Sequence, residues 1–472
     1  MALDHNFRGE FEDLNELIRQ FEQMKAGHSH SFLDEDSFEQ IIDYFDEHDE
    51  LPQAIQAAEL GIEQFPFSSS LLLKKSNLLI ETKKYKEALV MLEKAELLDT
   101  TDINLYILKT EAYLALNEHG MAVSVLETQI DHFEGNDKAE LLLELADVYD
   151  DWEEFGKVFE CLKMDLEFQP GNEEALHKIS FWTEFTGRNE ESIALHKKII
   201  DQYPYNELAW FNLGTAYQGL KLFEKAIDAY LYAVAIDDKF EYAYRNMGDA
   251  YIRIRKFNEA IEVLNRHLEI AKPEDVIYEA MGHCYQKQKR YTQARFYYRK
   301  ASHLSPGDDK LHFRIGQTYY LEKSWEQAVK SLLSAIKINK NSPLYCLAIG
   351  ECLIELEDYK EALVYFMNAI RIRPQSQQAW QSFIRGLFIA DLHEEALVQL
   401  KLAIKNTGPK PIYRYYQVAV LIAMNRTKEA LIQLEAALQE APRQVKKLIE
   451  LDPTILQHSG VVDLLARYRR KK

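Results

Sequence analysis

The chain is 472 residues long, carries a formal net charge of −20, and is 47% apolar with only 18 Gly and 12 Pro. A single hydrophobic core rarely grows past ~250–300 residues, so this length implies several domains or a stack of small units that bury surface only against their neighbours. The acidic balance argues against a nucleic-acid binder, which must neutralise phosphates with Lys and Arg, and no apolar stretch approaches the ~18 residues that membrane insertion requires.

From Glu10 to Lys25, Phe11, Leu14, Leu17, Ile18 and Phe21 recur at helical spacing and predict one amphipathic helix. With the acidic segment that follows, residues 1–34 read as an N-terminal cap and linker. A 34-residue period then takes over. Repeat starts fall near residues 35, 69, 103, 139, 173, 207, 241, 275, 309, 343, 377 and 411, and the twelfth copy ends near residue 444. Seven copies run in unbroken register from Glu207 to Pro442, with Ala226, Ala260, Ala294, Ala328, Ala362, Ala396 and Ala430 at one place in each. A two-residue insertion between His132 and Asp137 shifts the frame after the third copy and is a candidate hinge. Residues 445–472 read as two capping helices, broken at Asp452-Pro453 or near Ser459-Gly460, and a basic tail from Arg467 to Lys472. With flanks this short, no attached catalytic domain is expected.

Each recurring residue has a physical reason. Gly214, Gly248, Gly282, Gly316 and Gly350 stand at the eighth place of their repeats, where a missing side chain lets the paired helix approach. The twentieth place is Ala in all repeats but two, which have Val158 and Ser192, because it faces a tight helix crossing. Trp210, Tyr244, Tyr278 and Trp380 occupy the fourth place, Tyr217, Tyr251, Tyr285 and Tyr319 the eleventh, and Pro170 and Pro204 close their units. A 34-residue period with an aromatic, a Leu-Gly step, a Tyr, a small residue and a closing Pro resembles the tetratricopeptide repeat family over nearly all of the chain. The resemblance implies an all-α, right-handed superhelical solenoid of helix-turn-helix repeats.

No catalytic or metal signature emerges from the residues, so a non-enzymatic protein without cofactor is expected. Cys161, Cys284, Cys346 and Cys352 form no CxxC pair and read as small core residues in a reducing compartment. His28 and His30 are better read as part of a solvated linker than as metal ligands, and the acidic run from Asp34 to Glu50 lacks the central Gly of a calcium loop. The N-terminus shows no basic segment followed by an apolar run, so a cytoplasmic location is expected.

In the family that the chain resembles, the first helix of each repeat lines a concave groove, with places 2, 5, 9, 12 and 13 pointing into it. Transferred to this chain, the first repeat puts Asp36, Glu39, Asp43, Asp46 and Glu47 there, and the fourth adds Asp147, Asp150 and Asp151. Such an acidic stretch would steer a basic partner, or serve as a solvated face. The charge is unevenly placed: residues 1–174 hold 41 acidic and 13 basic side chains, the remainder 35 and 43. The middle of the groove changes character, with Phe181, Phe185, Phe211, Tyr242, Arg245, Arg253, Lys287, Lys310, Phe313, Arg314 and Tyr320. Aromatic and Arg side chains are the usual energetic anchors of interfaces. Residues 177–321 therefore read as the peptide-binding stretch, for a segment with apolar anchors and acidic character, unless some of these groups pack laterally on the next repeat.

Family domains that hold chaperone C-terminal carboxylates offer one comparison. At their clamp places this chain has Arg245, Asp249, Ala280, Lys310 and Arg314; Asp249 would repel a carboxylate where that subfamily offers Asn, so the clamp is degenerate. The reading that results is a protein-interaction scaffold binding a partner's peptide segment. The alternative is self-association, acidic N-terminal end to basic C-terminal tail, which as a heterologous contact would build rings or chains.

Overall fold

The computed structural model describes residues 3–26 and 32–470, and its side chains from Leu14 to Tyr468 within those limits. His28, His30, Lys471 and Lys472 therefore lie outside the described residues, as do the side chains of Phe11, Arg469 and Arg470. Every regular element among the described residues is a helix, and the helices follow one another in antiparallel pairs, an all-α solenoid of helix-turn-helix repeats.

The chain falls into two compact units, Met1–Asn246 and Met247–Lys472, divided within the helix Glu241–Arg253. In the first unit the helix Leu3–Lys25 precedes the repeats; its Phe21 is buried in the core of repeat one, and Leu17 and Ile18 pack half-buried against it. First helices follow at Glu35–Glu47, Ser69–Glu81, Ile103–Ala115, Gly135–Asp151, Glu173–Thr186 and Glu207–Gly219, each followed by a second helix. The fourth of these starts four residues before the position expected from the register. The inserted residues first make a 3-10 turn, Ile130–His132, then bury Phe133 against Tyr106 with ring centroids 5.8 Å apart. The apolar core runs on through Leu105, Leu126, Leu141 and Leu162 without a break.

In the second unit the first helices are Asp275–Lys287, Asp309–Leu321, Pro343–Glu355, Gln377–Ile389 and Pro411–Ala423. After the last repeat, Val445–Leu451 ends at Asp452, a 3-10 turn spans Pro453–Gln457, and Ser459–Arg470 closes the unit by burying Val461.

Several first helices start where the sequence supplies caps. Asp34, Ser68, Asp102 and Asn206 each accept a hydrogen bond from a backbone N–H of the following first turn, at 2.8–3.1 Å. The repeats are joined by a recurrent bond: Trp210 Nε1 donates to the Pro204 carbonyl and Trp380 Nε1 to the Pro374 carbonyl, both at 2.8 Å. This ties the fourth-place Trp to the Pro that closes the preceding repeat. Within repeats, the glycine reasoning holds: a Cβ on Gly214 would stand 2.5 Å from the Tyr230 ring, and one on Gly282 would stand 2.6 Å from Tyr298.

One feature is shared by every repeat. The fifteenth residue, between the two helices, has positive φ in all twelve, yet only Gly187 is a glycine; the others include Lys83, Asn117, Lys221, Lys289 and Asn425. At the eleven that carry a side chain the geometry is a Schellman turn. In repeat six the N–H of Lys221 donates to the Gln218 carbonyl at 2.8 Å and that of Leu222 to the Tyr217 carbonyl at 2.9 Å. The two hydrogen bonds hold a left-handed residue that a side chain disfavours by about 1 kcal/mol.

Candidate functional site

The first helices carry the residues expected in the groove, and the two units present different chemistry. In the second unit, the helices Asp275–Lys287 and Asp309–Leu321 and the end of Glu241–Arg253 line a cavity of about 760 Å³. Arg253, Lys287 and Arg314 contribute to its wall as expected, joined by Arg255 and faced by Asp249 and Glu279. Four guanidinium or ammonium groups thus share the cavity with two carboxylates, and Val276, Ala280, Ile252 and Phe257 supply apolar wall.

The carboxylates orient the cations. Glu279 Oε1 accepts from Arg314 Nε at 2.6 Å, joining neighbouring first helices, and Asp249 Oδ2 lies 3.3 Å from Arg253 Nε. No Lys287 ion pair occurs among the described residues. His283, half-buried in the wall, has its imidazole pKa lowered by burial and then by Lys287 and Arg314, so the proton-free ring is favoured. The arrangement suits an anionic group: Arg253 and Arg314 are held in place by carboxylates, Arg255 and Lys287 add two further cations, and the wall gives an apolar side chain a surface.

Other expected groove residues of the second unit divide in two. Lys310 and Tyr320 are exposed, with Tyr320 packed edge-on against Trp325 at 5.1 Å. Phe313 is half-buried and packs on Tyr345 of the next repeat, ring centroids 5.0 Å apart, the lateral packing weighed as its alternative role.

In the first unit Phe211 is likewise half-buried, between Tyr230 at 5.7 Å and Phe240 at 5.0 Å. Tyr242 and Arg245 are exposed on Glu241–Arg253. Phe181 and Phe185 remain 61% and 57% exposed on Glu173–Thr186, their rings stacked 5.9 Å apart. Of the acidic residues, Asp36, Glu47 and Asp150 are exposed, and Glu39 and Asp46 are half-buried. Asp43 pairs with Lys74, Asp147 with Lys178 at 2.9 Å, and Asp151 with His119 at 2.9 Å. Burial, then the neighbouring Asp46, raises the carboxyl pKa of Glu81, which extends the acidic strip into repeat two.

Sequence reasoning passed over Glu279, His283 and Val276, although they stand at places 5, 9 and 2 of repeat eight and fall on the wall of the cavity. The signal was present in the register, but the choice favoured Arg, Lys and aromatic side chains. Among the described residues no three His, Cys, Asp or Glu side chains are grouped to hold a metal, and no helix is long and apolar enough to cross a membrane. The four cysteines are buried thiols, and burial pushes those of Cys161, Cys284 and Cys352 up to about 12.

Comparison with known proteins locates the repeats. Tetratricopeptide repeat models match residues 208–240, 243–275 and 276–308. The model of anaphase-promoting complex, cyclosome, subunit 3 matches residues 294–369. No curated protein sequence matches the chain. Among solved structures, the C-terminal part of a TPR repeat-containing protein from Cytophaga hutchinsonii is 17% identical with a TM-score of 0.44, covering 54% of this chain and 99% of that one. YrrB, described as a TPR protein with an unusual peptide-binding site, is 19% identical with a TM-score of 0.36, covering 40% of this chain and 96% of that one. The Cut9–Hcn1 hetero-tetramer of the APC/C gives 13% identity and a TM-score of 0.36 over 93% of this chain and 96% of that one.

Proposed function

Because the chain is a tetratricopeptide-repeat protein, we propose that it is a non-catalytic interaction scaffold whose second unit holds an acidic segment of a partner protein in the groove lined by Arg253, Lys287 and Arg314. The observation that carries this is the cavity itself, in which four cations outnumber two carboxylates and an apolar wall lies alongside. Recognition proceeds without chemistry. A partner carboxylate meets Lys287 and the guanidiniums already oriented by Asp249 and Glu279, so little side-chain entropy is lost when it arrives. An apolar partner residue covers Val276 and Ala280 and excludes water, which strengthens the charged contacts. Preformed helices give an unstructured segment a surface that is ordered before binding.

The degenerate clamp follows from the same geometry. Asp249 and Glu279 stand among the cations, so a bare C-terminal carboxylate meets competition from within the site. The ligand is instead an internal acidic stretch that reaches several cations at once.

The test is affinity purification at low salt from the native cell, comparing the unaltered chain with Arg253→Glu/Lys287→Glu and with Lys330→Glu on a second helix, quantified by mass spectrometry. A partner lost from the groove variant and kept by the second-helix variant supports the reading. An identical set of partners from all three removes the site.

A further inference from the structure

A second recognition surface lies in the first unit, and its chemistry is opposite in sign. Phe181 and Phe185 are one helical turn apart on Glu173–Thr186, and both are more than half exposed. Beneath them the buried Trp182 meets Phe181 edge-on at 4.9 Å and Phe185 at 5.6 Å. Phe155, at the start of the second helix Phe155–Phe168, stacks on Trp182 at 5.5 Å and touches Phe185 at 4.9 Å. Four rings thus form one shelf in which Trp182 and Phe155 are anchors and Phe181 and Phe185, stacked on each other, are more than half exposed. The ring contacts restrict the outer pair, so less order is lost when a ligand stacks on them than on isolated side chains.

Exposed carboxylates neighbour the shelf residues in the chain. Glu153 and Glu154 immediately precede Phe155, Glu184 lies exposed between the two outer rings in sequence, and Asp150 is exposed on the preceding first helix. That helix is drawn alongside by the Lys178–Asp147 pair at 2.9 Å. The nearby cations are engaged: Lys178 also reaches Glu174 at 3.0 Å, Arg188 pairs with Glu160, and Lys157 sits over the Tyr149 ring at 4.7 Å. Among the described residues no Lys or Arg side chain lies over Phe181 or Phe185.

We infer that this shelf binds an arginine-bearing segment of a partner protein, with guanidinium groups stacked on Phe181 and Phe185 and reaching the carboxylates at the rim. A planar cation satisfies both features at once, because its face matches the ring face and its N–H groups match the carboxylates. A purely apolar partner would leave Glu154 and Glu184 desolvated without a counter-charge, and an acidic one would be repelled. The inference is independent of the cationic cavity of the second unit, which takes the opposite charge.

The test uses the full chain and a fluorescein-labelled peptide of alternating Arg, Leu and Gly, read by fluorescence anisotropy at low salt. Parallel peptides carry Lys or the neutral isostere citrulline for Arg. The Arg peptide is expected to bind about tenfold more tightly than the citrulline peptide, and to beat the Lys peptide by a smaller factor. Phe181→Ala/Phe185→Ala should weaken it about tenfold with unchanged helicity, since both side chains are largely exposed. Glu184→Gln/Asp150→Asn should lower affinity and flatten its salt dependence. No binding by the unaltered chain, equal binding of the citrulline peptide, or equal binding by the double alanine variant overturns the inference.

Discussion

Asp165→Asn should make the first unit more stable than the parent above neutrality, by a margin that shrinks as pH falls. Asp165 stands on Phe155–Phe168 at the place occupied by Ala95, Ala233, Ala301 and Ala335 in other repeats, and like them it is fully buried. One carboxylate oxygen accepts from Asn172 Nδ2 at 2.7 Å; no partner contacts the other. Burial, opposed by that hydrogen bond and assisted by Glu174, pushes the pKa from 3.8 up to about 7. Between those two values the folded chain holds a proton that the unfolded chain releases, so stability falls as pH rises from about 4 to 7 and is level above. A displacement of this size corresponds to roughly 2–4 kcal/mol at pH 8. His196 acts in the opposite direction: fully buried, its pKa lowered to about 4, it costs stability as pH falls through 6.5. Subtracting the parent's profile from the variant's cancels that contribution. The assay is hydrogen exchange across Phe155–Phe168 at pH 5 to 8, because repeat arrays open locally and a single melting temperature averages over units. Protection in Asp165→Asn should exceed that of the parent at pH 8, and the gap should close towards pH 5. A gap that does not change with pH, or a variant less protected at pH 8, refutes the reasoning.

Lys289→Gly should stabilise the turn of repeat eight by about 0.5–1 kcal/mol, because Lys289 sits at φ 61° in a left-handed position; urea unfolding of the chain with and without the change measures it. Gly282→Ala should cost about 1–3 kcal/mol, since its Cβ would meet the fully buried Tyr298 ring, whose hydroxyl is held by Gln286 at 2.7 Å. Gly307→Ala is the control, with nothing near the added Cβ. A basic partner bound at Asp36, Asp43 and Glu47 should weaken steeply between low and high salt in titration calorimetry, and a salt-independent affinity would reduce that strip to a solvated face.

The period made most of the fold legible. Ala226 and its equivalents marked the helix crossings, and first helices begin at Glu207, Asp275 and Asp309 because Asn206 and Asp308 cap them or the apolar period starts there. The left-handed fifteenth place was not legible, because eleven of twelve residues there carry side chains and Lys289 or Glu357 gives no sign of positive φ. The shared backbone geometry, fixed by the Schellman bonds, overrides the residue preference. Asp165 left a trace, a carboxylate at a place where seven of the twelve repeats have Ala, that becomes informative only when its burial is known. In the groove, place numbers brought Lys287 and Arg253 to one cavity but could not tell that Phe313 turns onto Tyr345 while Phe181 faces outward. That choice depends on the size of the neighbour's side chain, which a repeat register does not encode.

The central claim is that the groove of the second unit takes a protein segment. The direct measurement is photocrosslinking in the native cell with a benzophenone amino acid at Val276, which is 44% exposed in the cavity wall, and at Lys330 on a second helix. The account predicts a crosslink from position 276 to an acidic segment of one partner and none to that segment from position 330. Equal crosslinks from both positions, or one from position 330 alone, would contradict it.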